Sequence, residues 1–498
     1  MKLAELKNGV CAVIAEKTCI QMVQSSNQAF DFGADLVELR LDFIQEEFSI
    51  AEILKNITGP TLVTIRRKID GGLWEKDEQS RINTLIQAQK SGAHAIDIES
   101  DCFHNFSPSN DCLRILSYHN FAQTPANISV LHKAFESQGP ELVKIACFAN
   151  NNSDSVRILG LYQHASLPLI AFCMGTIGFP SRVLALTEKR SPWMYTNYSD
   201  TLVNAPGIPI FKDVVSVYDI QSLGNETKVF GVMGDPIGHS LSPAIHNASF
   251  KALGFPGVYL PFHISASDFS TAIEAYQSIP LMGYSVTIPH KESAFRFATT
   301  SSDLVKQIGA ANTLVKTGYG FHAENTDATG IIAAIKNKLG ETLDNREVLI
   351  LGAGGVSRAA VFALKKAGCS IKVCNRSSER AEKLASEAGV AFMPWSQRHD
   401  FKSGLLVNCT SVGMHPNEND SPWDSNCFTK DHVAFDTVYN PIETRFLRDA
   451  AQAGAIVIDG VEMFVCQAAE QFNLFTSFNA PLDVMRKTVL EKLRRNKN

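Results

Sequence analysis

The chain has 498 residues, 45% hydrophobic and 19% charged, with a formal net charge of −5. That length exceeds one ordinary domain and predicts two or three, with ample apolar material for their cores. Basic residues gather only in the short Lys492, Arg494, Arg495, Lys497 tail, the solvated end of a last helix, so neither nucleic acid nor an anionic membrane is expected as a partner. No stretch approaches the ~20 apolar residues of a membrane span. The opening MKLAELKNGVCAVIAEKT lacks a long apolar region and a cleavage signature. The cysteines number 11 and are never spaced Cys-x-x-Cys, which predicts neither a metal clip nor a disulfide framework. A cytoplasmic protein with small-molecule partners and no metal is the expectation; an oligomer is possible.

The first predicted domain spans residues 1–222. Short apolar runs alternate there with longer amphipathic stretches: VCAVIA from Val10, LVELRLD from Leu36, TLVTIR from Thr61 and AIDIES from Ala95. RILSYHNF from Arg114, LVKIACF from Leu142, LPLIAFCM from Leu167 and a weaker MYTNYS from Met194 follow. Buried parallel strands read this way. Eight of them at intervals of about 20–30 residues fit a (β/α)8 barrel better than an open sheet.

QSLGNETK, residues 221–228, is the candidate linker. Strands and helices alternate over 228–328, a second domain. REVLILGAGGVSRAAVFALKKAG then reads strand, Gly-rich turn, helix, and IKVCNRS, LLVNCTSVGM, HVAFDTVYN and AIVIDG add strands. Residues 329–465 are thus a doubly wound, Rossmann-type nucleotide domain. Residues 466–498 are helical in pattern and are expected to pack back on the second domain. The fold class is α/β throughout.

Catalytic side chains of a barrel sit at the C-terminal ends of its strands. Glu38 and Arg40 lie near the end of the second run, Arg66 ends the third and Asp70 follows it. His119 closes the fifth, Lys144 interrupts the sixth, and Arg182 follows the seventh. Desolvation disfavours a buried ammonium, and a neutral amine attacks a ketone to form an imine. Lys144 read alone is equally a snorkelling or carboxylate-paired lysine. His119 alone is a core histidine, and Arg40 alone a partner of Glu38 or Asp42. It is their joint placement at successive strand ends that points to chemistry.

The segments ADLVELRLD, TIRRKIDGG, SYHNF, KIA and MGTIGFPSR resemble the type I 3-dehydroquinate dehydratases. The resemblance implies that Lys144 forms a Schiff base with the substrate ketone, and that His119 acts as general base and then acid. It implies that Arg182 clamps the substrate carboxylate. Glu38, Arg40 and Arg66 would hold hydroxyls, and Met174 would pack beside the imine. The family's Glu-Gly-Gly, whose carboxylate orients the histidine, is Asp70-Gly71-Gly72 here. Its APGQ is APGI, with Ile208 in place of a substrate-contacting glutamine, so one lid hydrogen bond should be missing.

In the second half, GAGGVSRAA follows an apolar strand and opens a helix. Gly352, Gly354 and Gly355 would let the backbone approach a pyrophosphate at the helix N-terminus. An NAD enzyme usually has an acid at the end of the next strand to bind the ribose hydroxyl. This chain has Asn375, Arg376, Ser377 and then Arg380, which suit a 2′-phosphate and predict NADP; a surface arginine pair is the alternative. Ser240 and Ser242 read alone are a helix N-cap, and Lys291 with Asp327 an ordinary ion pair. Together with Thr287 and Asn312 they offer hydroxyls for a carboxylate and a lysine–carboxylate pair for proton transfer.

These segments, with NCTSVGM, DTVYNPIET and GVEMFVCQAAEQF, are similar to the shikimate dehydrogenases. The resemblance implies that Ser240 and Ser242 bind the substrate carboxylate, and that Thr287, Asn312, Asp327 and Gln467 bind ring hydroxyls. Lys291 would serve as proton donor or charge stabiliser with Asp327 as its partner, and Tyr439 would line the site. Gly460 and Met463 would lie on the cofactor side. The order of the halves resembles the fused dehydratase–dehydrogenases of plants and some bacteria. The product of one expected reaction, 3-dehydroshikimate, is the substrate of the other. A quinate/shikimate dehydrogenase with a weakened dehydratase half, and a regulatory protein on dead enzyme folds, are the rival readings.

Overall fold

The computed structural model describes residues 3, 6–187, 191–199, 205–238, 240–340 and 342–495. Lys497 of the basic tail lies outside them. No helix among the described residues is long and apolar enough to cross a membrane. By compactness the chain divides into two units, residues 1–229 with 256–281 and residues 230–255 with 282–498.

The first unit is built on eight strands: β1 (Gly9–Ile14), β2 (Leu36–Arg40), β3 (Thr61–Thr64), β4 (Ala95–Glu99), β5 (Leu113–Asn120), β6 (Leu142–Phe148), β7 (Leu169–Met174) and β8 (Trp193–Asn197). Their order is β7-β6-β5-β4-β3-β2-β1-β8. All seven ladders are parallel, and β1 pairs both β2 and β8, which curls the sheet into the expected barrel.

Because side chains alternate along a strand, one set of alternate residues fills the barrel. Its lower layer is apolar and includes Leu36, Leu62, Ala95, Ile115, Leu142 and Trp193, with Leu3 and Leu6 packed on it. Two residues further along the same strands the set becomes Glu38, Thr64, Asp97, Ser117, Lys144 and Tyr195, all buried. Polar groups gathered above an apolar lower layer mark where the chemistry of the barrel lies.

The candidate linker is only partly solvated. Ile220 and Leu223 are buried, and Asn8 Nδ2 donates to Leu223 O at 2.7 Å. Two apolar side chains near the start of a polar stretch were enough to anchor it.

Further along the chain come β9 (Lys228–Gly234), β10 (Gly257–His263), β11 (Leu281–Val286), β12 (Thr300–Ser301), β13 (Thr313–Thr317) and β14 (Gly320–Glu324). Within the second unit, β9, β11, β13, β14 and β12 follow one another in a mixed sheet. The remaining strands are β15 (Glu347–Leu351), β16 (Ser370–Cys374), β17 (Ala391–Phe392), β18 (Gly404–Asn408), β19 (His432–Asp436) and β20 (Ile456–Ile458). They form a parallel sheet ordered β17-β16-β15-β18-β19-β20. That order reverses direction at β15, the switch point of a Rossmann fold.

Two long helices, Thr326–Leu339 and Gly460–Thr476, cross at Gly330. A Cβ there would stand 2.7 Å from Met463 O, so only glycine allows the approach. Helix Gly460–Thr476 also supplies Phe472 and Phe475, whose rings lie 6.3 and 6.1 Å from that of His246 on helix Ser242–Leu253.

Burial among these rings pushes the His246 imidazole down to about 3, against a raising hydrogen bond from Gln471. The unfolded chain therefore binds a proton near pH 6.5 that the folded chain refuses, and stability is lost as pH falls from 6.5 toward 3. Between pH 7 and 5 this group should remove about 2 kcal/mol. Urea unfolding of wild type and His246→Phe at both pH values should show a smaller acid-side loss in the variant.

Candidate active sites

The eight residues singled out in the first half all line one cavity at the C-terminal ends of the barrel strands, and Ile208 lines it with them. Lys144, 4% exposed, donates from Nζ to Asp97 Oδ2 at 2.9 Å and lies 3.7 Å from Glu38 Oε1. The Tyr195 ring centroid is 4.0 Å from the same nitrogen. Burial is thus only part of the lysine's environment, since two carboxylates and an aromatic face also receive it.

Asp97 is the residue that sequence reasoning missed. It accepts from Arg66 Nη2 at 2.7 Å and from Ser117 Oγ at 2.5 Å as well as from Lys144. Burial alone would raise its carboxyl, but Arg66, Lys144 and His119 outweigh that and hold it well below the usual carboxylate range. The available signal was an acid at an inward position of the apolar run AIDIES, the same signal that drew attention to Lys144.

Burial, then the Arg66 and Lys144 cations, push the His119 imidazole well below its ordinary value. Its Nδ1 is buried with no hydrogen-bond partner among the described residues. The expectation that Asp70 orients this ring is not met in the geometry. Arg67 Nε donates to Asp70 Oδ2 at 2.6 Å, and the shorter side chain is held by that guanidinium.

Arg40 pairs with Asp42 through two bonds of 2.9 and 2.7 Å, settling which acid it meets. Arg182, on helix Phe179–Thr187, is buried, its guanidinium 4.1 Å from the Phe172 ring centroid. Its Nε and Nη2 have no partner among the described residues, and burial pushes its pKa down to about 9. A desolvated guanidinium without an anion is strongly unfavourable. A ligand carboxylate would correct that.

In the second unit, Lys291 Nζ donates to Asp327 Oδ2 at 2.5 Å, and Asn312 Nδ2 donates to Asp327 Oδ1 at 2.9 Å. Thr326 at the start of the same helix bonds both Asn312 and Gln467. Ser242 N donates to Ser240 Oγ at 3.3 Å, so the two hydroxyls share one turn. Thr287 follows β11, its N donating to Met233 O at 3.0 Å. Tyr439 stacks on Phe464 with centroids 4.3 Å apart.

The Gly-rich turn follows β15 at the switch point. Gly352 has φ +121°, and a Cβ there would meet Ser357 Oγ at 2.8 Å and Cys409 O at 3.1 Å. Ser357, standing where a third glycine is often found, accepts from Gly354 N at 3.2 Å and braces the turn. A Cβ at Gly355 would lie 3.2 Å from the Lys291 side chain, which puts the lysine beside the turn. Past β16, Asn375 Nδ2 donates to Ser377 O at 3.1 Å. Arg376 and Arg380 are exposed. The open glycine backbone and the two arginines fit a dinucleotide with a 2′-phosphate. Met463 is 6% exposed within the domain core, and a Cβ on Gly460 would press on Val438 O. Both residues are packed tightly against their neighbours.

One cluster lies apart from these sites. The ligand atoms of His399, Asp424 and Cys427 lie within 4.8 Å of one another. Arg398 Nη2, 3.6 Å from Asp424, already supplies positive charge there.

Comparison with known proteins matches both halves. The family model described as type I 3-dehydroquinase matches residues 10–225. The shikimate dehydrogenase substrate binding domain matches 232–314, the shikimate/quinate 5-dehydrogenase model 334–401, and the shikimate 5′-dehydrogenase C-terminal domain 460–490. The chloroplastic bifunctional 3-dehydroquinate dehydratase/shikimate dehydrogenase of Arabidopsis thaliana is 35% identical over 505 residues, covering 95% of this chain and 83% of that protein. The shikimate dehydrogenase (NADP(+)) of Methanosarcina mazei is 42% identical over 53% of this chain and 99% of its own. A crystal structure of shikimate dehydrogenase in complex with NADP+ has a TM-score of 0.52 and 31% identity, over 54% of this chain and 96% of that one. The chain belongs to the family that joins a type I 3-dehydroquinate dehydratase to a shikimate dehydrogenase in one polypeptide.

Proposed function

We propose that this enzyme dehydrates 3-dehydroquinate to 3-dehydroshikimate in its barrel and reduces 3-dehydroshikimate to shikimate in its second half, with NADP as cofactor. The domains would be residues 1–222 for the dehydratase, 228–328 for the dehydrogenase substrate domain, 329–465 for the cofactor domain and 466–498 for the closing helices. Eleven free cysteines support a reducing compartment such as the cytoplasm.

The observation that carries the dehydratase reading is Lys144 between two carboxylates in the same cavity as an anion-less Arg182. Arg182 would receive the substrate carboxylate and fix the ring. Lys144 Nζ would add to the ketone and expel water as the imine forms. The iminium withdraws electrons from the adjacent C–H, whose proton neutral His119 takes. His119 then returns a proton to the departing hydroxyl, which leaves as water. Water finally releases the product from Lys144. Glu38, Arg40 and Arg66 would orient ring hydroxyls, with Met174 against the imine. Asp70, paired to Arg67, would act on the loop.

In the dehydrogenase half, bound NADPH supplies the hydride. Ser240 and Ser242 would hold the substrate carboxylate, while Thr287, Asn312, Asp327 and Gln467 would hold hydroxyls. Lys291, held by Asp327, would give the developing alkoxide its proton. Its place beside Gly355 brings that proton to the nucleotide turn.

Borohydride with 3-dehydroquinate should leave a reduced adduct on Lys144, visible by peptide mass spectrometry; dehydration without any adduct would refute the Schiff base. Charge-assisted contacts are worth about 1.5–3 kcal/mol each, so NADPH should exceed NADH by at least about tenfold in kcat/KM. Arg376→Ala should narrow that ratio, and equal use of both cofactors by wild type would refute the assignment. The two sets of site residues share no member, and sites without shared partners usually act independently. Lys144→Ala should therefore abolish dehydration and keep reduction of added 3-dehydroshikimate within about twofold, and Lys291→Ala should do the converse.

A further inference from the structure

A row of buried charges runs from Lys144 away from the cavity. Asp97 joins Lys144 to Arg66, and Arg66 Nη1 reaches Glu99 Oε1 at 2.8 Å. Arg81 Nη1 reaches Glu99 Oε2 at 2.6 Å, and Arg81 is itself clamped by Glu78 through bonds of 2.9 and 2.6 Å. The Arg81 side chain is wholly buried, whereas that of Glu78 is 43% exposed. Neither Glu99 nor Arg81 lines the cavity. Burying this many charges costs more than an apolar core of similar volume, so a purely structural purpose accounts for it poorly.

We propose that Glu99 and Arg81 are positioning residues of the dehydratase, which act through Arg66 and Asp97 to set the pH at which Lys144 and His119 become competent. The proposal rests on the reading of Lys144 as the nucleophile. The titratable and charged groups facing Lys144 are Asp97, Glu38, Arg66, His119, Tyr195 and Cys11. Glu99 faces Arg66, Arg81 and Cys102.

The direction of each effect follows from charge. Both Lys144 and His119 must be neutral in the free enzyme to begin the reaction. Removing the Glu99 charge leaves the Arg66 charge less compensated, which disfavours protonation of His119. Removing the Arg81 charge leaves Glu99 less compensated and favours it. A residue that merely supports the fold would lower activity without moving the two pH limbs in opposite directions.

The test is the pH dependence of kcat/KM for dehydration of 3-dehydroquinate by the full chain, whose acid limb reports free-enzyme groups. Glu99→Gln should move that limb down and Arg81→Met should move it up, each by about half a unit or more. Glu78→Gln, at the exposed end of the row, should move it down by less and serves where a buried variant does not fold. Limbs that superimpose on wild type in variants with wild-type Tm overturn the proposal, as do shifts of the same sign in Glu99→Gln and Arg81→Met. Borohydride trapping of wild type separates the two claims. No adduct on Lys144 defeats the nucleophile reading, whereas an adduct with unmoved limbs defeats only the role of Glu99 and Arg81.

Discussion

A lysine inside a protein needs carboxylates to exist as a cation, and a lysine that attacks a ketone needs those carboxylates not to hold its proton. The buried charges of the barrel interior meet the first of these needs. Asp97 and Glu38 receive Lys144, and Arg66 draws on the same Asp97 from the other side. Glu99 is in register with Ser117, and Ser117 with Lys144, so the backbone ladders tie acid, hydroxyl and amine together across three adjacent strands. The apolar layer beneath keeps water from relaxing the balance. Each charge is then felt more strongly than at the surface.

The second unit handles charge by other means. Its ammonium and carboxylate form one tight pair, Lys291 with Asp327, and the rest of the site is amides and hydroxyls tied into the web around Asn312. The nucleotide side is largely backbone, with a glycine at positive φ, a serine bracing the turn and a helix N-terminus facing outward. One half thus depends on the neutralisation of buried ions, the other on the spacing of backbone and neutral donors.

Much of this was legible in the sequence. Short apolar runs between longer amphipathic stretches gave the barrel strands, and a glycine turn between a strand and a helix gave the dinucleotide crevice. Lys144 stood out because nothing else in LVKIACF is polar. Asp97 carries the same signature in AIDIES, yet a strand holding two acids reads as an ordinary half-exposed strand until its neighbours show which face is buried. The partner of Asp70 was hidden for a different reason. Asp70 meets Arg67 three residues back in its own loop, and only the loop's path shows that. Arg182 was legible as an arginine, whereas its lack of an anion was not, because that depends on every side chain around it.

The crossing at Gly330 bears on how such an enzyme diversifies. Backbone contact with Met463 leaves no room for a methyl group, so the separation of the two helices is set by steric contact between backbone atoms. Asp327 and Gln467 sit on those helices close to the crossing. Mutational drift can exchange either side chain but cannot widen the gap between their backbones by small steps. Descendants with altered ring preference would be expected to change first at the turn of Ser240 and Ser242, where the chain is not locked in this way, and to inherit the crossing unaltered.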